Sequence, residues 1–189
     1  MYRRSFIKKI MALGSLLFIP KILKAQMKEI QDQSELVSEL KKVTNLKEFL
    51  VLLERLSAVE KNLKIESTWS IGTVLSHCAQ SIRYSIDGYP DMKSAFFRNT
   101  VGSLAFSIFS MRGKMNHGLE EPIPGATPID LNTIFSVGKE ELIEAINLFQ
   151  KKTTEDLKPH FAYGELSRED YENAHLFHIK NHFERISLT

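Results

Sequence analysis

A chain of 189 residues, 43% hydrophobic and 25% charged, has the makings of one ordinary soluble globular domain with a proper core and too little length for two. Its formal charge of +2 excludes little until the charges are placed, because the first 25 residues hold six basic side chains (Arg3, Arg4, Lys8, Lys9, Lys21, Lys24) and no acidic one. Without that segment 19 basic residues face 23 acidic ones, a charge near −4, which removes the case for a nucleic-acid-binding footprint. Cys78 is the single cysteine, so an intramolecular disulfide is excluded as well.

Residues 1–25 read as a signal peptide rather than as part of the globule. A basic head, an apolar run from Ile10 to Ile19 and a small residue in Leu23-Lys24-Ala25 supply its three regions. The apolar run is about ten residues, too short to span a bilayer as an ordinary helix. Arg3-Arg4-Ser5-Phe6-Ile7-Lys8 resembles the twin-arginine export signal, with Ile7 in place of the usual leucine. That resemblance implies passage through the twin-arginine machinery after folding, often around a cofactor, and a periplasmic location. Membrane contact is expected only if the signal stays uncleaved as an anchor.

Residues 26–44 form a polar lead-in, loosely packed or at most a frayed helix, and the domain proper is expected over 45–189. Asn45 with Glu48 reads as a helix start, followed by the apolar stripe Leu46, Phe49, Leu50, Leu53 and Leu56. A second helix begins near Ser67 or Thr68 and stops at Gly88-Tyr89-Pro90, with Ile71, Leu75, Cys78, Ile82 and Ile86 inward and His77 to one side of them. Cys78 is expected to be a small core residue. Ala95 to Met111 reads as a buried helix, and its outer apolar face is a candidate for homodimer pairing. From Arg112 to Asn132, Pro122, Pro124, Gly125 and Pro128 dictate a long loop, either functional or a crossover, in which His117 is expected to be solvated. Helix resumes from Val137 to about Thr153, and Ser167-Arg168-Glu169-Asp170 opens the last one with a capping box. No segment alternates with period two, so no sheet is expected.

Three of the six histidines fall within His175-Leu176-Phe177-His178-Ile179-Lys180-Asn181-His182. At about 100° per residue, 175, 178 and 182 point nearly the same way on a helix, with side chains one turn apart at about 5–6 Å between Cβ atoms. Neutral imidazoles so placed can share one divalent cation, and they can equally cap or pack. Helices joined by a long crossover suggest an all-α four-helix bundle, a fold that builds metal sites from side chains on facing helices.

At this point the residues resemble a family. Trp69-Ser70-Ile71-Gly72 followed by Leu75-Ser76-His77, together with His178-Ile179-Lys180-Asn181-His182-Phe183-Glu184-Arg185-Ile186, is similar to the DinB-like (YfiT-like) four-helix-bundle superfamily, which has a long crossover loop. His160-Phe161-Ala162-Tyr163-Gly164-Glu165-Leu166-Ser167, with Pro124-Gly125-Ala126, looks like a signature of one uncharacterised branch. The resemblance implies that His77, His178 and His182 are metal ligands. Asn181 stands where a further, non-ligating histidine is usual, and Arg185 where glutamine is. His175 is left as a fourth ligand, a proton shuttle or a hydrogen-bonded neighbour of Tyr171.

Three imidazoles suit zinc or nickel, and iron as well. Such an ion keeps its full double charge and an open position, from which it acidifies a bound water or thiol and polarises a carbonyl. The superfamily implies a metal-dependent hydrolase or thiol transferase acting on a small molecule. The alternative is a non-catalytic exported bundle that binds metal or a partner. Tyr84, Asp87 and Glu172 share the ligand-bearing helices but are expected on solvated faces.

Overall fold

The computed structural model describes residues 30–189, and over that range the chain is mostly helical. The signal-peptide reading lies outside the described residues. Helix α1, Gln33–Lys42, starts where the Asp32 carboxylate accepts the Glu35 N–H, and it buries Leu36 and Leu40 in the main core together with Ile30 and Val43. From Ile30 onward the lead-in is therefore packed rather than loose. Its seam is only two leucines wide, which the surrounding polar residues conceal in the sequence, and Arg55 from the next helix holds it through Glu35 and Glu39.

Helix α2, Leu46–Ala58, is capped by Asn45, whose side chain accepts from Glu48 N–H. The Glu48 carboxylate reaches back to Thr44 N–H, one residue before the cap. Beyond α2, strand β1, Leu63–Ile65, pairs antiparallel with β2, Ile186–Leu188, in the register Leu63↔Leu188, Lys64↔Ser187 and Ile65↔Ile186. This corrects the expectation of no sheet. Strands of three residues are too short for alternation to register in a sequence, and this ribbon ties the end of the chain to the segment after α2.

Helix α3, Ile71–Asp87, begins at an N-cap on Ser70, which accepts Thr73 N–H, and ends at Gly88 with φ of 103°. Twelve of its 17 residues are buried, so it is packed nearly all round. That resolves the offset of His77 from the apolar stripe, since both faces meet other elements. Cys78 is a buried core residue, its thiol pushed up by burial.

Helix α5, Phe135–Phe149, makes the most extensive helix pair with α3 among the described residues. The two backbones meet at glycines: a methyl on Gly138 would lie 2.1 Å from the Gly72 carbonyl oxygen. Gly138→Ala is expected to wedge this crossing open and destabilise the protein by about 1–3 kcal/mol, the range for overpacking. The check is a denaturant-midpoint comparison with wild type, and an unchanged midpoint would refute the close crossing.

Between them, one helical turn at Ala95–Phe97 runs through π-helical Arg98–Gly102 into α4, Ser103–Arg112. The expectation of a buried helix fails here. Phe96 is 78% exposed, Leu104 62% and Met111 80%, whereas Phe106 and Gly102 are the buried positions of the segment. Its apolar residues are spread around the axis instead of along one stripe, so a single contact line cannot bury them.

Helix α6, Arg168–Phe183, opens with the expected capping box: Ser167 Oγ accepts Asp170 N–H, and the Asp170 carboxylate accepts Ser167 N–H. Side chains from α2, α3, α5 and α6 share one core, in which Phe49, Leu53, Leu75, Leu142, Ile146, Phe149 and Tyr171 are fully buried. This core fixes α3 and α6 side by side, and the histidines stand where they face each other.

Candidate metal centre

His77 comes from α3, and His178 and His182 come from successive turns of α6. His77 Nε2 lies 3.2 Å from His178 Nε2, which lies 3.1 Å from His182 Nε2. The donor atoms of all three fall within 4.8 Å of one another. A tetrahedral ion with metal–nitrogen distances of about 2.0–2.1 Å needs donors about 3.3 Å apart, so these residues fit a divalent cation with little adjustment.

Trp69 explains its place before His77. Its ring meets that of His77 edge-on at 5.1 Å and lies nearly parallel to that of His182 at 6.4 Å, walling the cluster from solvent. His77 and His182 are each 2% exposed, while His178 keeps some surface toward a neighbouring cavity. Burial holds His77 down to about 4, helped by the charge of His117. Burial likewise holds His182 down to about 2, with His77 and His117 adding to it, and His178 well below the ordinary histidine value. All three are neutral at physiological pH, the state in which imidazole ligates metal.

Support around the rings is uneven. His77 Nδ1 and Asn181 Nδ2 are buried without a hydrogen-bond partner among the described residues. Asn181 is a buried side chain, whereas Arg185 is exposed. Glu172 is tied to Arg168, Gln150 and Leu46 N–H and Asp87 is exposed, so both carboxylates stand in structural or solvated roles.

His175 is not part of the cluster. The Ser85 hydroxyl donates to Ile82 O and therefore accepts the Nε2–H of His175, 3.1 Å away. The His175 ring stacks on Tyr171 at 5.3 Å and takes the edge of Phe149 at 5.3 Å. It is a neighbour of Tyr171, as one of the readings had it, but through ring stacking, while the Tyr171 hydroxyl donates to Lys158 O.

The expectation for His117 is overturned. Rather than being solvated, its ring lies 4.7 Å from that of His178 and 5.1 Å from that of His182, and burial lowers its pKa. A loop residue brought against a helix far along the chain leaves no periodic trace in the sequence. The one hint is the length of the proline-studded loop itself. His160 is a second omission: it is buried, stacks on Tyr163 at 4.2 Å, and its Nδ1 accepts the N–H groups of Ala162 and Tyr163. In the sequence that stretch stood out only through its resemblance to a branch signature, which gave His160 no role.

A cavity of about 210 Å³ opens against His77 and His178, between the loop and the His160 turn. Ser81, Lys93, His117 and Glu121 supply its polar lining, with Met115, Ile123 and Phe161 among the apolar groups. It is large enough for a small molecule and gives that molecule access to the edge of the histidine cluster.

Comparison with curated proteins and with solved structures finds no match. The family described as "Protein of unknown function (DUF1569)" matches residues 11–189, a span that takes in the core and all four clustered histidines, and the chain belongs to that family.

Proposed function

We propose that the protein is an exported metalloprotein of the DinB-like four-helix-bundle type, in which His77, His178 and His182 hold one divalent ion, zinc or nickel before iron. We further infer that the ion serves a metal-dependent reaction on a small substrate, with hydrolysis and thiol transfer as the two candidate chemistries. The observation that carries this reading is the convergence of three buried, neutral imidazole donors within 4.8 Å beside a cavity. When bound, the ion supplies Lewis acidity, polarising a carbonyl or acidifying a water or thiol. The chain's own part is to keep the donors neutral by burial, to exclude bulk water behind Trp69, and to seat the substrate against the His178 edge with Ser81 and Lys93 as polar contacts.

An enzymatic role is supported over a purely structural one by His175. Closed coordination by four helix-borne histidines would have marked a structural site, but its Nε2–H is committed to Ser85. The resemblance of the N-terminus to a twin-arginine signal supports folding and metal loading before export. Homodimer formation is proposed for the exposed apolar residues of the segment leading into α4, and sedimentation showing a monomer would remove it.

Elemental analysis of protein purified without chelator or affinity metal tests the centre. About one equivalent of zinc or nickel is expected in wild type and none in the His77→Ala, His178→Ala double variant. Absence of metal from both, with no thermal stabilisation of wild type by added zinc or nickel, would sink the metalloprotein reading.

A further inference from the structure

We propose that His117 is a fourth ligand to the same ion, supplied by the long loop, and that it occupies in the resting protein the coordination position a substrate would later take. The proposal rests on the metal reading above and deepens it. Its first support is the tautomer. His117 Nδ1 lies 2.6 Å from the Gly118 carbonyl oxygen, which can only accept, so Nδ1 carries the proton and Nε2 holds a lone pair. That Nε2 is buried and has no hydrogen-bond partner among the described residues. A carbonyl fixing one ring nitrogen while the other stands bare is the arrangement that orients a metal-ligating histidine.

The second support is spacing. Imidazoles around one tetrahedral ion, at about 2.0–2.1 Å from metal to nitrogen, place their ring centroids about 5 Å apart. The helix-borne rings obey this, at 5.0 Å for His77 and His178, 5.1 Å for His77 and His182, and 4.9 Å for His178 and His182. His117 joins the same set at 4.7 Å from His178 and 5.1 Å from His182. His117 thus lies at the spacing that one ion imposes from two of the three helix-borne rings, and it belongs to a different kind of element.

The loop is fastened on both sides of His117. Met115 and Ile123 are buried, the Glu120 carboxylate accepts Thr68 N–H at 2.7 Å and the Ser67 hydroxyl at 2.9 Å, and Thr127 O accepts the Gln80 amide at 2.9 Å. These contacts pin the loop to α3 and the residues before it, so His117 is held over the cluster without belonging to a helix. A ligand on a loop can leave without unfolding the core, which the three on α3 and α6 cannot do. His117 also lines the cavity, so its withdrawal would open the ion to whatever the cavity holds.

Cobalt(II) is the probe, because four-coordinate cobalt absorbs visible light several-fold more strongly than five- or six-coordinate cobalt. Wild type is expected to bind one equivalent with the strong band, and excess imidazole should leave that band in place. His117→Ala should still bind cobalt, at least about tenfold more weakly and with a shifted band because water takes the vacated position, and imidazole should restore the wild-type spectrum. Equal affinity and identical spectra in wild type and variant would overturn the fourth ligand while leaving the three-histidine site standing. Failure of wild type to bind cobalt at all would overturn both. A readout on wild type alone covers loss of the variant to misfolding: cobalt should slow proteolytic cleavage within residues 113–134, and cleavage at an unchanged rate would refute the attachment of the loop to the ion.

Discussion

Between pH 6.5 and 4.5 the metal-free protein is expected to lose about 5 kcal/mol of stability through His160 and His175 alone, at about 1.4 kcal/mol per histidine per pH unit. Burial holds each of these rings down to about 3 in the folded state, with the charge of His175 adding to the effect on His160. In the unfolded chain both return to about 6.5. The unfolded state therefore binds more protons throughout the interval between those values, and stability falls as the pH falls through it. Above about pH 7.5 both states are deprotonated and the contribution vanishes.

No carboxylate relieves either ring: His175 faces Ser85, Phe149 and Tyr171, and His160 faces Tyr89, Phe161, Tyr163 and Tyr171. A loss of that size is a large share of the stability of an ordinary domain. Denaturant melts in chelator at about pH 7.5, 5.5 and 4.5 measure it, and His175→Leu should shallow the acid slope by close to one proton. A wild-type slope below one proton over this range would mean that the rings protonate in place, contrary to their burial.

What the sequence discloses about this fold is what can be read over one or two turns. Asn45, Ser167 with Asp170, and Gly88 each act on backbone groups three or four residues away, and each marks a helix end where the structure has one. Errors fall where burial depends on distant partners. The packing of α1 is decided by the core that Leu36 and Leu40 enter and by Arg55, neither of which is local. The exposure of Phe96, Leu104 and Met111 is decided by how little of that segment is covered by other helices among the described residues, a fact that hydrophobic content cannot convey.

The centre divides in the same way. His178 and His182 are legible because a helix repeats every four residues, and His77 because a resemblance paired it with them. His117 and His160 come to the site through tertiary folding of irregular chain, and irregular chain has no period. The unpartnered His117 Nε2 is equally invisible without coordinates, and a bare, buried ring nitrogen of that kind separates a ligand from a merely packed ring.

Metal affinity should be nearly independent of pH from about 8 down to about 5, in contrast to an exposed three-histidine site. Protons compete with the metal for each ring, and at pH 5 three rings with ordinary values near 6.5 would weaken binding by about four orders of magnitude. Here burial has already lowered the competing values, with His77 down to about 4 and His182 to about 2, and His178 well below normal. The cost of keeping these rings uncharged is met by the fold rather than at the moment of binding, so above pH 5 the metal has little proton to displace. Zinc titration against a competing chelator, corrected for the chelator's own protonation and confined to the range where circular dichroism shows the metal-free chain folded, measures it. A fall of tenfold or more between pH 7 and 5.5 would show that the ligands titrate like exposed histidines, and with that the buried, preorganised character of the site would be lost.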